Sequence, residues 1–337
     1  MTPTALATLG QIVVSLFKMY GLDAAAMFER HGVDPALLSN PNARIPARTW
    51  DSIARDAAAH IPDPAFGLLA ARCWHPSNLG ALGYAWLTSS TLRTGLGRVV
   101  RYWRLLGEAS STRLVESSAG LTIVLARQAP DPVASAVTAD FVMSLLLDMC
   151  RMNAGSSLRP VAVRLRRMRP QDSEAYRRHF GCGVHFAADE DSITLSRKDV
   201  DRPLPTSNRQ LAATLDRILA EQLAHLDKSD VVARCQAHLL DQLCSGEVSE
   251  DVMAEQLHMS RRTLQRKLAV ADLTYQKLVD DTRRDLAMRH LEDPRHSVTD
   301  VTFLLGFSQQ SAFTRAFKRW TGMSPSEYRA QRSLSAS

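Results

Sequence analysis

Val252-Met-Ala-Glu-Gln-Leu-His-Met-Ser-Arg-Arg-Thr-Leu-Gln-Arg-Lys-Leu268 and Val301-Thr-Phe-Leu-Leu-Gly-Phe-Ser-Gln-Gln-Ser-Ala-Phe-Thr-Arg-Ala-Phe317 are two writings of one pattern, about 48 residues apart. Leu257, Met259, Ser260, Leu264, Arg266 and Leu268 fall on Leu305, Phe307, Ser308, Phe313, Arg315 and Phe317, and the second copy carries one extra residue after its turn. Chance must supply the whole pattern twice, so the repeat outweighs any single motif. Each copy reads as a short helix, a tight turn and a second helix. In the first, the helix ends at Leu257, the turn passes through His258-Met259, and Ser260 offers its hydroxyl to a free backbone N–H. Leu264 and Leu268 lie one helical turn apart and face inward, leaving Arg262, Gln265 and Arg266 outside. In the second, Phe313, Ala316, Phe317 and Trp320 form the inward stripe, and Gln310, Ser311, Thr314, Arg315 and Lys318 stay outside. Arginine presents a fork to guanine O6 and N7, and glutamine does the same for adenine N6 and N7. Arg261 and Lys318, nearer the helix flanks, are expected to meet phosphates. Ordinary amphipathic helices with solvated basic faces would explain either copy alone, but not two in register. The pattern points to a reader of double-stranded DNA.

Between the copies, Tyr275 to Leu291 reads as one helix: Leu278, Thr282, Leu286 and His290 are spaced by four, as are Arg283, Ala287 and Leu291. Its seventeen residues span about 26 Å. That length permits two recognition helices to enter successive major-groove turns, about 34 Å apart. Upstream, Val231 to Cys244 is amphipathic through Val231, Cys235, Leu239 and Leu243, with Ser229 or Asp230 as its cap and 225–230 as a polar linker. Downstream, Ser324-Pro325-Ser326-Glu327 is a capping box that opens a last short helix.

These residues resemble the AraC/XylS family of bacterial transcription regulators over about Asp230 to Arg332. The resemblance rests on Ala254 to Arg266, on Arg283, Ala287 and Leu291, and on Gly306-Phe307-Ser308, Phe313-x-Arg315-x-Phe317-Lys318, Gly322-x-Ser324-Pro325 and Tyr328-Arg329. It implies that Arg262, Gln265 and Arg266 read bases from one unit, and Gln310, Ser311 and Arg315 from the other. Two positions depart from the family pattern. His258 stands where a turn glycine is usual, which strains a left-handed backbone. Thr302 replaces an alanine, and its hydroxyl needs a partner such as the carbonyl four residues back.

A length of 337 residues with 45% apolar content suits two domains, each with its own core. We place a ligand-sensing and dimerisation domain at 1–227 and the DNA-binding domain at 228–337. Within the latter, the two helix-turn-helix units fall at about 249–270 and 298–320, with the linker helix at about 274–291. The net charge of +6 suits a polyanion partner. Residues 245–337 nevertheless hold 14 Lys and Arg against 12 Asp and Glu. Charge is gathered on particular faces, as expected of a specific reader rather than a protein that coats DNA. Five cysteines, an odd count without Cys-x-x-Cys, read as reduced thiols. No signal peptide and no apolar run of membrane-spanning length is read, so a cytoplasmic protein without a membrane partner is expected.

The N-terminal region reads as α+β: helices with a small, mainly antiparallel sheet, beside an all-α C-terminal domain. Helices are expected over 6–30, 47–59, 64–73, 92–106, 132–152 and 170–180, and strands over 111–117, 121–127, 161–168, 184–186 and 192–196. Asn78 to Gly83, Thr91 to Arg93 and Arg101 to Trp103 resemble the sensing domain of the AraC subgroup that includes ornithine and virulence regulators. That likeness implies a small-molecule effector without naming it. His75, Trp86, Tyr102 and Trp103 are candidates to line its pocket, and a plain core cluster is the alternative.

An enzyme with a fused DNA-binding module is the competing reading. His179 and His185 flank Gly181-Cys182-Gly183, but a small thiol between glycines is commonly just packed. Asp189-Glu190-Asp191 reads as a solvated hairpin, and no histidine pair has metal-ligand spacing. No catalytic residue, cofactor or metal is assigned. Promoter DNA and an effector are the expected partners, with RNA polymerase a further candidate. Leu211, Leu215, Ile218, Leu219, Gln222 and Leu226 form an apolar stripe, which either packs on its own domain or forms a homodimer seam.

Overall fold

The computed structural model describes residues 2–127, 131–226, 231–243, 249–271, 273–291, 293 and 295–334. The chain divides into two compact units, Met1–Leu215 and Asp216–Ser337. The division falls inside a helix, ahead of the boundary at 227 read from the sequence.

In the first unit, β1 (Thr4–Leu6) is followed by α1 (Gly10–Met19) and α2 (Ala24–Arg30). The single helix expected over 6–30 is broken where Gly21 takes a positive φ of 68°, and Asp23 restarts it by accepting from the Ala26 N–H. β2 (Arg44–Pro46) pairs antiparallel with β1, and α3 (Ala47–His60) leaves it directly. A 3-10 helix at Phe66–Arg72 stands where an α-helix was expected, and α4 (Ala81–Leu87) has no counterpart in the sequence reading. Thr91 caps α5 (Leu92–Arg101) in a capping box with Thr94. Tyr102, outside helical geometry, separates α5 from α6 (Trp103–Leu106).

The strands β3 (Ser110–Ser117) and β4 (Gly120–Arg127) form a hairpin in register Ser110↔Arg127 to Ser117↔Gly120. A Cβ on Gly120 would collide with the Leu195 carbonyl, so only glycine admits the neighbouring strand there. Asp131 caps α7 (Pro132–Ala154) by accepting from Val133 and Ala134. After it come β5 (Ala162–Arg164), α8 (Glu174–Phe180), β6 (Val184–His185), β7 (Asp191–Leu195), α9 (Arg197–Asp201) and α10 (Arg209–Leu226). The five-stranded sheet has the order β3-β4-β7-β5-β6, antiparallel except for the parallel β5–β6 pair. The strand expected over 161–168 shrinks to β5. β7 lies in the middle with all five residues buried, so Asp191 is not on a solvated hairpin: its carboxylate accepts from the Arg166 N–H at 2.8 Å inside the sheet.

Length and composition alone would let α7 cross a membrane, contrary to the expectation that no such stretch exists. Here it is a core helix, packed against 66–72 and α3. Its two acids are matched: Tyr176 donates to Asp140 at 2.6 Å and Arg167 pairs with it, while the Trp74 indole donates to Asp148 at 2.6 Å. Burial pushes the Asp140 carboxyl up to about 7 against the pull of Arg167.

On α10 the stripe read from the sequence is split. Ala212, Asp216, Leu219, Ala220 and Leu223 are buried, while Leu211 and Ile218 remain 46% and 36% exposed. Small alanines and the Asp216–Arg289 ion pair define the covered face, and neither registers in a count of large apolar residues.

The second unit continues with α11 (Val231–Gln242), α12 (Glu250–Gln256), α13 (Arg261–Ala269), α14 (Tyr275–Leu291), α15 (Val298–Leu304), α16 (Gln310–Thr321) and α17 (Pro325–Leu334). Val231, Cys235, Leu239 and Leu243 pack with Met253, Leu257, Leu264 and Leu268 in one core. Ala287, Leu291, Val301, Leu305, Phe313, Phe317 and Tyr328 form another, and α14 supplies residues to both. The expected caps Ser229 and Asp230, Cys244 and most of the 225–230 linker lie outside the described residues.

Candidate functional site

The two helix-turn-helix copies superimpose in their hydrogen bonds as well as their sequence. Ser249 and Ser297 cap α12 and α15, accepting from Val252 and Asp300. At the first turn the His258 N–H donates to Glu255 O and Met259 N–H to Ala254 O, both at 2.9 Å. At the second, Gly306 N–H donates to Phe303 O at 2.9 Å and Phe307 N–H to Thr302 O at 3.1 Å. These are the same bonds 48 residues later, closing both helices through a left-handed residue. His258 has φ 54° and Gly306 φ 73°, so the histidine carries the strain its glycine counterpart avoids. The Thr302 hydroxyl is satisfied by Val298 O at 2.8 Å, four residues back. His258→Gly should therefore be neutral to stabilising by up to about 1 kcal/mol, the relief of strain being offset by unfolded-state entropy. Gly306→Ala should cost at least about 1 kcal/mol. Paired thermal melts of the two variants check the contrast.

Ser260 caps α13, accepting from Thr263, and Leu264 and Leu268 on its inner face are fully buried. Arg261, Arg262, Gln265 and Arg266 are exposed. They divide by their partners. Arg261 is tied back to α12, with Nε 2.8 Å from Glu250 and Nη1 3.2 Å from Asp251. The Gln265 amide also donates to Glu250, at 3.1 Å. The Arg262 and Arg266 side chains have no hydrogen-bond or ion-pair partner among the described residues, so two guanidinium forks stand free on the outer face.

In the second copy the extra residue shifts the cap. Gln309, not Ser308, is the residue before α16, and its side chain makes no capping bond. Phe313, Ala316 and Phe317 are buried; Gln310, Ser311, Arg315 and Lys318 are exposed and Thr314 is half-buried. Trp320, expected in the buried stripe, is only half-buried at its edge. Thr299 donates to the Gln310 side-chain oxygen at 3.0 Å, whereas Arg315 and Lys318 are unpaired among the described residues. α14 holds this unit through Arg283, which stacks 4.8 Å from the Phe307 ring centroid and donates to Leu305 O at 3.1 Å. Arg329 of α17 donates to Leu291 O at 3.1 Å and caps the end of the linker helix.

The first unit contains a cavity of about 180 Å³ between α1, α3, α5, α6 and α7, lined by Leu16, Phe17, Trp50, Val137, Phe141 and further apolar side chains. Of the four pocket candidates, Trp103 lines it, with its indole N–H on Ser110 Oγ at 3.1 Å. Trp86 and Tyr102 are fully buried core residues outside the lining, and the Trp86 indole donates to Met149 O at 3.0 Å. His75 caps a 3-10 helix at Pro76–Leu79 and is also outside it. The sequence reading missed Trp50 and Arg127, whose Nε1 and Nε are buried without a hydrogen-bond partner among the described residues, and Asp51, which pairs with Arg127. Asp51 and Arg127 are 76 positions apart, so no local pattern announced them.

The Cys–His grouping offers no activated thiol. Burial raises the Cys182 thiol, burial holds His179 down at about 4, and no hydrogen bond joins Cys182 to either histidine among the described residues.

Two family models match the chain. The arabinose-binding N-terminal domain of AraC transcription regulators covers residues 21–204, more than half of the chain, and a helix-turn-helix domain covers 253–331. The chain belongs to the AraC family of transcription regulators. It is similar over nearly its full length to the ornithine utilization regulator of Pseudomonas aeruginosa, at 29% identity over 95% of this chain and 94% of the relative. It is also similar to the transcriptional regulator VirS of Mycobacterium tuberculosis, at 26% identity over 94% of this chain and 93% of that one. The crystal structure of the regulator CdpR from Pseudomonas aeruginosa aligns with a TM-score of 0.48 at 22% identity, over 90% of this chain and 96% of that one. As an AraC-family member, the chain is a DNA-binding transcription regulator with an N-terminal ligand-sensing domain. Its matched families and relatives are those of transcription regulators.

Proposed function

We propose that this regulator reads promoter DNA in the cytoplasm as a homodimer, with residues 1–227 sensing an effector and residues 228–337 binding the duplex. Arg262 and Arg266 would read bases from the first unit, joined by the free oxygen of Gln265. Gln310, Ser311 and Arg315 would do so from the second. Thr314 and Lys318 flank that surface and would meet the backbone, as would Arg261 once released from Glu250 and Asp251. The observation that carries this reading is the pair of free guanidinium groups on α13, opposite fully buried Leu264 and Leu268. The 180 Å³ cavity is the proposed effector site, and its ligand would shift the population of binding-competent protein. Contact with RNA polymerase would then turn occupancy of the promoter into a change in transcription.

The outward residues of α10 support the dimer. Leu211 and Ile218 lie seven positions apart with Leu215 between them, at the spacing of a two-helix seam. Leu211→Glu with Ile218→Glu should give a folded monomer by analytical ultracentrifugation. Its affinity for a two-site promoter should fall while half-site binding stays near normal. A variant that still sediments as a dimer would place the contact elsewhere; a wild-type monomer bound to both sites would remove it.

A further inference from the structure

Gln265, unlike Arg262 and Arg266, has its orientation fixed by a neighbour. Its Nε2 donates to Glu250 Oε2 at 3.1 Å. A glutamine amide has one donating end and one accepting end, whereas a carboxylate only accepts. The nitrogen is therefore the end held against Glu250, and Oε1 is left without a donor among the described residues. The same Glu250 oxygen accepts from Arg261 Nε at 2.8 Å, so a single atom gathers both side chains against α12. Glu250 is only 15% exposed, whereas Gln265 lies open to solvent. Departure of Arg261 to a DNA phosphate would leave that oxygen wholly to Gln265.

The helix-turn-helix fold does not require this acid. Ser249 and Ser297 cap their helices alike, so Glu250 and Val298 occupy equivalent positions. Valine serves there in the second copy, with the same bonds at the turn. Gln310 of that copy meets the Thr299 hydroxyl at 3.0 Å, and a hydroxyl can serve either end of an amide. An acid in a first helical turn also favours the helix dipole, but Asp251, next in the chain, supplies that by itself. The carboxylate at 250 thus constrains a reading side chain where the fold asks for no constraint.

What the constraint selects follows from the edges of the bases. In the major groove adenine N6 and cytosine N4 donate, whereas guanine O6 and thymine O4 accept. A side chain that offers only its oxygen is matched by the amino bases and meets the keto bases acceptor to acceptor.

We propose that Glu250 is a positioning residue for base recognition: it turns the Gln265 oxygen toward DNA, so that the first unit selects adenine or cytosine over guanine or thymine at one position. This rests on the reading of Gln265 as a base contact, and the test separates the two. The full chain is selected on a randomised DNA pool, and affinities are then measured on four duplexes that differ at one position. Gln265→Ala identifies that position as the one whose preference it flattens. The wild-type chain should favour adenine and cytosine there by roughly three- to tenfold, the value of one hydrogen bond. Glu250→Gln keeps the shape of the side chain but both accepts and donates, which frees the Gln265 amide to turn either way. The preference should then shrink to within about twofold, while the position read by Arg266 keeps its own and shows that the variant is folded. Asp251→Asn removes an equal charge from the same helical turn and should leave the amino-base preference intact. A keto-base preference in the wild type, an amino-base preference that survives Glu250→Gln, or one that Asp251→Asn also erases would overturn the proposal while leaving Gln265 as a base contact. Unaltered preference at every position in Gln265→Ala would remove that contact, and the proposal with it.

Discussion

Arg266→Ala and Arg315→Ala are each expected to weaken binding to the correct promoter site by about 1–3 kcal/mol, roughly five- to 150-fold, and to relax base preference at one position. The argument is geometric. Both guanidinium groups are exposed, unpaired among the described residues, and borne on helices whose opposite faces are fully buried. Lys318→Ala should instead weaken all sequences alike and lower the salt slope by about one. Arg261→Ala should do less than its charge suggests, because Glu250 and Asp251 already pair with that charge on the surface. Selection from a randomised DNA pool with each variant reads out both quantities. An unchanged preference in Arg266→Ala would remove that side chain from base recognition.

Phe317→Ala is expected to carry the largest stability cost, about 3–5 kcal/mol. Phe317 is fully buried, with its ring 5.7 Å from Phe313 and 5.5 Å from Tyr328, so truncation opens a hole at the meeting point of α16 and α17. Against a typical domain stability of about 5–15 kcal/mol, that is enough to melt the second helix-turn-helix unit near physiological temperature. Phe303→Ala is the matching control: its side chain is 57% exposed, and a change within about 0.5 kcal/mol is expected. Thermal unfolding followed by circular dichroism compares the two. Equal midpoints would mean that the aromatic cluster does not hold the unit together.

The C-terminal fold was legible because its signals are local and repeated. Tyr275–Leu291 appears with the bounds that its spacing predicts, Ser260 caps as its position requires, and His258 takes the left-handed turn in place of glycine. The shift of the second cap to Gln309 was not legible. An extra residue can be counted from sequence, but the turn geometry decides where the chain absorbs it. Nor were the restraints on Arg261 and Gln265, which depend on α12 and α13 meeting at Glu250. In the first unit, the hairpin and α7 followed from alternation and length. The cavity did not, because Trp50 and Arg127 come from elements distant in sequence, and a buried tryptophan such as Trp86 looks the same in a linear pattern. The covered face of α10 was concealed for a related reason: alanines and an ion-paired aspartate bury well but do not register among the large apolar residues that mark a stripe.

The central claim is that both helix-turn-helix units engage DNA, each through its outer face. Base-resolution footprinting of the full chain on a selected promoter site, alongside Arg266→Ala and Arg315→Ala, tests it most directly. The account predicts two protected major-groove segments per protomer on one face of the duplex, about one helical turn apart. Each variant should lose protection chiefly in its own segment. A single protected segment that Arg315→Ala leaves untouched would contradict it.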